Sequence, residues 1–150
     1  MTFCMLLLDS CIPGWDTMER MSIKNRTTDT LLIGASFSNN IDSVYINEYG
    51  GRLRFLSRTW AKWDSTWTEI NDKGMLEIRM NDYIPQDSTA DYAVAGALFS
   101  HNKEHKAYFF IIKLETARNH TWAEICRDRL YDTLFVTREM LDEENLIEYH

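Results

Sequence analysis

The segment HNKEH, residues 101–105, contains the residue types from which a metal site is built. It matches the H-x-x-E-H pattern of one metallopeptidase group, in which two imidazoles hold zinc and the glutamate is the general base. That chemistry needs both imidazoles on one helical face and a third ligand from elsewhere. The Asn and Lys of this segment are instead typical of a polar connection between strands. His101, Glu104 and His105 are kept only as the alternative of a metal-dependent hydrolase.

Other catalytic arrangements are missing from the sequence. No G-x-S-x-G nucleophile elbow is present, and Gly50-Gly51 is typical of a hairpin turn rather than of a phosphate-binding loop. Cys126 falls on the apolar side of a predicted helix, where a thiol packs and is not activated. The sequence therefore predicts a protein that is not an enzyme and binds no cofactor.

Three tryptophans lie close together in TWAKWDSTW, at positions 60, 63 and 67. Exposed, Trp60, Trp63 and Trp67 with Asp64 would form an aromatic patch that anchors a protein interface or stacks on sugar rings. The alternative is that the indoles fill the core or cover a sheet edge. This group is the first candidate binding surface.

The charge of the chain restricts its partners. The formal net charge is −7, which disfavours nucleic acid because phosphate binding needs clustered Lys and Arg. Part of the negative charge is local, since residues 138–150 contain one arginine against five acidic residues. Four of those acids are the second candidate surface, suited to a basic partner protein: Glu139, Asp142, Glu143 and Glu144.

The first twenty residues form an apolar N-terminal segment, and residues 21–150 are predicted to be one domain. Three cysteines, Cys4, Cys11 and Cys126, are too few for a disulfide framework. The run MLLLDSC ending at Cys11 looks like the end of a bacterial lipoprotein signal, although no Lys or Arg precedes it. The alternative is a short apolar strand that packs on the core.

Alternation of apolar and polar residues predicts strands through most of the domain. Residues 21–36 indicate a hairpin with its turn at Thr27–Asp29, and VYINEYGGRLRFLS, residues 44–57, indicates a second hairpin. MLEIRMND, residues 75–82, alternates as well, whereas ADYAVAGALFS, residues 90–100, fits a helix or a strand. KAYFFIIKL, residues 106–114, predicts a central strand buried on both faces because six consecutive residues are apolar.

The C-terminal third combines a helix with short strands. Thr121 and Glu124 have the spacing of a capping box, and the apolar residues after them recur at helical spacing, which predicts an amphipathic helix near 121–131. TLFVT is then a strand, REMLDEEN a polar helical turn capped by Thr137, and LIEY a closing strand. The predicted fold is mainly β (α+β): an antiparallel β-sandwich-like domain with one amphipathic helix and a short C-terminal helical turn.

The stretch from Phe109 to Tyr149 resembles the ending of a family of small β-rich proteins, often lipoprotein-like, from Bacteroides-type gut bacteria. The similar positions run from an apolar strand through a W-x-E-I helix to a final short strand, and they are listed here: Phe109 to Ile112, Glu115-Thr116, Trp122, Glu124, Ile125, Arg129, Tyr131, Thr137, Leu141, Ile147 and Tyr149. The resemblance implies no catalytic motif and no activity. It implies a lipoprotein start, and so favours Cys11 as a lipidated cysteine at the cell envelope.

Together these observations predict a non-enzymatic protein that binds another protein through an acidic, aromatic face. The most concrete version is an immunity-type or accessory protein, and a carbohydrate-binding envelope module is the alternative use of the tryptophans. Membrane attachment is expected only through a lipid on Cys11. Without that lipid, the expected location is the cytoplasm.

Overall fold

The computed structural model describes residues 21–36, 38–41, 45–46, 52–54, 67–78, 83–92, 99, 105–141 and 144–150, with only the backbone for 45–46, 52–54, 67 and 92. The strands are β1 (Met21–Asn25), β2 (Leu31–Ser36), β3 (Tyr45–Ile46), β4 (Arg52–Arg54), β5 (Trp67–Glu69), β6 (Thr89–Tyr92), β7 (Lys106–Lys113), β8 (Asp132–Thr137) and β9 (Leu146–Tyr149). The helices are α1 (Leu114–Asn119) and α2 (Trp122–Arg127), and Arg138–Met140 is a 3₁₀ turn. This composition confirms the predicted mainly β, α+β fold.

The described strands form three sheets of three strands each. The first sheet has the order β6-β1-β9, the second β2-β7-β8 and the third β3-β4-β5. Neighbouring strands are antiparallel except β1 and β9, which run parallel. The hairpin predicted around Gly50-Gly51 is confirmed by the pairing of β3 with β4.

Strand β7 is the centre of the second sheet and pairs with β2 on one side and β8 on the other. Its side chains alternate between two hydrophobic cores, so that Phe109 and Ile111 enter one and Phe110 and Ile112 the other. The prediction of a central strand buried on both faces is confirmed. An uninterrupted apolar run is what such a position requires, because neither face of the strand meets water.

The first and second sheets share one core, which we call the sheet-side core. Ile23 of β1 and Ala90 of β6 contribute to it from the first sheet, and Ile33 of β2 and Val136 of β8 from the second. This is the sandwich-like packing that the alternation in the sequence predicts. The opposite face of the second sheet meets Ala117 of α1 and Ile125 of α2 in a helix-side core.

Strands β1 and β2 do not form the predicted hairpin. Both strands exist, but β1 belongs to the first sheet and β2 to the second, so residues 26–30 form an arch between two sheets. The side chain of Asn25, fully buried, holds this arch. Its Nδ2 donates to the carbonyl oxygens of Asp29 (2.7 Å) and Ile84 (3.0 Å), and its Oδ1 accepts from the backbone N–H (2.9 Å) and hydroxyl (2.7 Å) of Thr27. The buried amide is therefore fully hydrogen-bonded.

Helix α2 begins as predicted and ends earlier. The Thr121 hydroxyl accepts from the Glu124 backbone N–H (3.2 Å), and the Glu124 carboxylate accepts from the Thr121 backbone N–H (2.8 Å), which is a complete capping box. The helix stops at Arg127 rather than near residue 131 because Arg129 takes a left-handed conformation (φ 52°) and the Leu130 N–H returns to the Ile125 carbonyl. Helix α1 was not predicted, and its first residue has no side-chain cap.

Two ambiguous segments are described in part. In ADYAVAGALFS, residues 90–92 belong to strand β6, as in the strand alternative, whereas Phe99 is helical. In MLEIRMND only residues 75–78 are described, and there Leu76 makes a single β-bridge with Ile70 instead of a regular strand. The turn after Thr137 and the closing strand β9 are both present as predicted, but the predicted cap is wrong, because the Thr137 side chain makes no capping hydrogen bond.

Candidate functional site

The tryptophan surface stays a prediction. Trp60, Trp63 and Asp64 lie outside the described residues. Trp67 begins β5, where its backbone pairs with Arg54 of β4, and its side chain is outside the description. Cys11 likewise lies outside the described residues.

Of the metal-site candidates, His101 and Glu104 lie outside the described residues, and His105 is described. His105 is exposed and has a left-handed backbone (φ 52°), and its Nδ1 lies 3.2 Å from the carbonyl oxygen of Phe99. Within the described ranges, no group of three or more His, Cys, Asp or Glu side chains could hold a metal ion.

The second predicted surface is described at Glu139 and Glu144, while Asp142 and Glu143 lie outside the described residues. Both described carboxylates are exposed. The Thr137 side chain makes no capping bond to the 3₁₀ turn; it hydrogen-bonds to Glu139 and thereby holds the pKa of that carboxyl below its usual value. Glu139 is therefore a fixed negative charge at neutral pH.

Two exposed apolar side chains accompany these acids. Phe135 is 51% exposed and Met140 is 47% exposed, and they are the exposed large hydrophobic residues of the described chain. Reasoning from the sequence missed both, because TLFVT indicates a strand without showing which of its apolar residues reaches solvent. The sequence did contain a sign that Met140 is exposed, because it is an apolar residue within an otherwise polar turn.

Cationic side chains lie over two nearby rings. The Lys106 ammonium is 5.5 Å from the centre of the Phe135 ring. Phe135 pairs with Tyr108, which packs on the helix-side core, so this contact lies on the helix side of the second sheet. The Arg138 guanidinium is 5.8 Å from the centre of the buried Phe99 ring. The C-terminal region of β8 thus presents apolar, acidic and basic groups within one short stretch.

A separate open cleft of about 330 Å³ lies between the arch and α1. Asp29 of the arch and Lys113 of β7 form an ion pair across it, with 2.8 Å between Oδ2 and Nζ. Glu115 and Arg118 of α1 add one charge of each sign to its lining. The balanced charges favour no particular ligand, and the cleft brings together none of the residues predicted from the sequence.

The remaining cysteine of the described chain is Cys126, a thiol that is half-buried against the helix-side core. This position agrees with the packing role predicted for it. In the described part of the chain, no helix is both long and apolar enough to cross a membrane. Comparison with protein-family models, with curated proteins and with solved structures gives no match for this chain.

Proposed function

We propose that this protein is a non-enzymatic binding protein that recognises a basic face of another protein. The binding surface is the acidic turn surface, defined as Glu139, Met140 and Glu144. Asp142 and Glu143, which lie between Met140 and Glu144 in the sequence, would add to its charge. In its most concrete form the protein is an immunity-type or accessory protein that covers the basic site of its partner.

The exposure of Met140 beside ionised Glu139 is the observation that supports this proposal. An apolar side chain that is 47% exposed leaves area to bury on binding, and methionine adapts its shape to a partner surface. The surrounding carboxylates provide attraction at a distance and select a basic partner over an acidic one.

The experiment is a comparative capture from native host extract. The bait is the protein with a C-terminal tag, and the site variant carries Glu139→Gln, Met140→Ala and Glu144→Gln. The matched control carries Glu77→Gln and Glu115→Gln, which removes two exposed charges elsewhere on the described surface. All three baits are compared at low and at raised salt, because pairing between exposed charges weakens with ionic strength.

We expect one basic protein that the original chain and the control retain and that the site variant loses. Raised salt should release the same protein from the original chain and from the control. Equal capture by all three baits would contradict the acidic turn surface as the binding site. Loss from the control as strongly as from the site variant would show an effect of net charge alone.

We also propose that the protein acts at the cell envelope through a lipid on Cys11. Support comes from the MLLLDSC run and from the resemblance to lipoprotein-like proteins. Intact-mass measurement of protein purified from host membranes tests this, with Cys11→Ala as the variant and Cys4→Ala as the matched control. We expect the mass of a lipid to be present on the original chain and on Cys4→Ala and to be lost in Cys11→Ala. An unmodified chain in the soluble fraction would contradict the proposed lipidation.

A further inference from the structure

The outer edge of strand β8 has backbone groups that no described residue binds. Among the described residues, β8 pairs with β7 on one side only, and its register with β7 runs without a bulge. Proteins usually protect such an edge with proline, lysine or a bulge, since an open edge is a template for pairing with another strand. Residues 132–137 contain neither proline nor lysine. The edge is therefore suited to an added strand.

The hydrogen bonds around β7 determine which backbone groups of β8 point outward. The Leu114 N–H donates to the Thr30 carbonyl (2.8 Å), which extends the ladder between β2 and β7 by one residue. Because bonded and non-bonded pairs alternate along an antiparallel ladder, the even-numbered residues of β7 bond to β2 and the odd-numbered ones to β8. Leu31 fits this alternation, since it exchanges its bonds with Ile84 on the other side of β2. The odd-numbered residues of β7 pair with even-numbered residues of β8, so the outward N–H and C=O groups belong to Thr133, Phe135 and Thr137.

The side chains of the same three residues lie on the helix side of the second sheet. Phe135 pairs with Tyr108, which packs on the helix-side core, and strand alternation places Thr133 and Thr137 on the same face. Phe135, near the middle of the edge, is 51% exposed. An added strand would place one of its own side chains directly beside that ring, where aromatic and β-branched residues are favoured. The centre of the edge therefore favours a segment that is rich in such residues.

Acidic side chains lie at both ends of this edge. Asp132 is the first residue of β8 and is exposed. At the other end, the Thr137 side chain hydrogen-bonds to Glu139, which fixes a carboxylate near the last outward-facing backbone group. Residues 132–144 contain five acidic residues against one arginine, and Lys106 of β7, over the Phe135 ring, adds one positive charge. The net charge along the edge is therefore negative and favours a basic segment.

We propose that the partner protein binds by strand addition, in which an extended basic segment pairs with β8 and continues the second sheet. Its backbone exchanges hydrogen bonds with Thr133, Phe135 and Thr137. These bonds supply affinity, whereas the side chains of the segment supply selectivity. Its basic residues lie at its ends, near Asp132 and Glu139. The inference rests on the proposed function, because the acidic turn surface follows β8 directly and binds the same partner.

The first measurement is amide hydrogen exchange of the free protein, followed for each residue by NMR. The N–H groups of residues 133, 135 and 137 should exchange faster than those of residues 132, 134 and 136, which bond to β7. Slow exchange of the outward groups at every protein concentration would mean that the chain covers its own edge, and it would overturn the proposal. Slow exchange that appears only at high concentration would show a second copy as the occupant and would overturn it as well.

The second measurement adds a synthetic peptide, Lys-Lys-Thr-Val-Thr-Val-Thr-Lys-Lys, as the probe. We expect it to slow the exchange of the three outward N–H groups. Thr133→Pro removes one outward donor and no bond to β7, at an edge position where proline is tolerated. It should raise the Kd of the peptide by about tenfold, because one backbone hydrogen bond is lost. Thr133→Ala keeps the N–H and is the matched control, so its Kd should stay close to that of the original chain.

A peptide that is N-methylated at every central residue tests the same bonds without any change to the protein, so the test does not depend on the folding of Thr133→Pro. This peptide should protect none of the outward N–H groups. Strand addition is overturned if the N-methylated peptide binds as well as the unmodified one. It is also overturned if the unmodified peptide does not bind, or binds and leaves the three N–H groups unprotected.

Failure of the proposed function gives a different result. The triple variant of the acidic turn surface should bind the lysine peptide more weakly, and a peptide with glutamate in place of each lysine should bind the original chain more weakly. If both peptides and the triple variant bind alike while the outward N–H groups are protected, the choice of a basic partner is wrong and pairing along β8 is supported. If the lysine peptide depends on the acidic turn surface and protects no outward N–H group, the acidic surface is supported and strand addition is wrong.

Discussion

The two strands beside β7 belong to one sheet but have opposite surroundings. Strand β2 has five buried residues out of six, and its first residue, Leu31, exchanges backbone hydrogen bonds with Ile84. Strand β8 has one buried residue out of six, and its outer backbone is open within the described chain. Pairing with the same neighbouring strand in the same sheet therefore does not determine the role of a strand. Strand β2 supports the fold, and β8 presents a surface.

Of the substitutions that test this comparison, Ile33→Ala in β2 is expected to reduce stability most. Ile33 is fully buried in the sheet-side core, and truncation of such a side chain costs about 2–5 kcal/mol because it leaves a cavity. Denaturant unfolding should therefore show a large fall in the free energy of unfolding. A loss below about 1 kcal/mol would mean that β2 is not a core strand.

The next effect is expected at the arch that places β2 in a different sheet from β1. Asn25→Ala leaves the Thr27 N–H without its acceptor and removes one donor from each of the Ile84 and Asp29 carbonyls, which keep the Leu31 N–H and the Thr27 hydroxyl. An unsatisfied buried group costs about 1–3 kcal/mol. We expect a loss of about 2–3 kcal/mol, measured by thermal and denaturant unfolding. Thr27→Val, which removes only a hydroxyl, is the control and should cost less.

A smaller, pH-dependent effect is expected where the arch meets β9. Arg26 Nε donates to the Glu148 carboxylate (2.9 Å), and this hydrogen bond holds the Glu148 pKa below its usual value. The stabilisation is present above the unfolded pKa of the carboxyl and is lost as pH falls through the lower folded pKa. Unfolding midpoints measured from neutral to acidic pH should therefore fall less steeply for Glu148→Gln. Identical slopes would show that this exposed pair contributes nothing.

The smallest effect is expected at the other flanking strand. Phe135→Ala removes a ring that is 51% exposed, and surface substitutions usually change stability by no more than about 0.5 kcal/mol. The measurement is made on dilute protein, so that self-association does not contribute. If Phe135→Ala lowered the free energy of unfolding as much as Ile33→Ala, β2 and β8 would not differ in their contribution to stability.

Local signals in the sequence predicted much of the fold. The apolar run of β7 and the Thr121–Glu124 capping box are both decided by residues close together in the chain, and both are confirmed. The pairing of β1 was not predictable in this way, since its partners are β6 and β9. Helix α1 has no cap residue to mark its start.

The candidate site was less predictable than the fold. The acidic residues near Glu139 could be chosen from charge alone, and the structure places Glu139 and Glu144 in solvent. The exposure of Phe135 depends on how far the helices extend over the second sheet, which periodicity within β8 does not encode. The tryptophans lie outside the described residues, apart from the backbone of Trp67, and their role stays a prediction.

The parallel pairing of β1 with β9 has a consequence for synthesis of the chain. Ile23 lies opposite Ile147, a separation of 124 residues. At a translation rate of about 5–20 residues per second, β1 waits roughly 6–25 seconds for that neighbour to be made. Met21 and Ile23, both fully buried in the finished protein, must be shielded from aggregation in the meantime. Such a large sequence separation also predicts slow folding, because the chain entropy is lost before the contact forms.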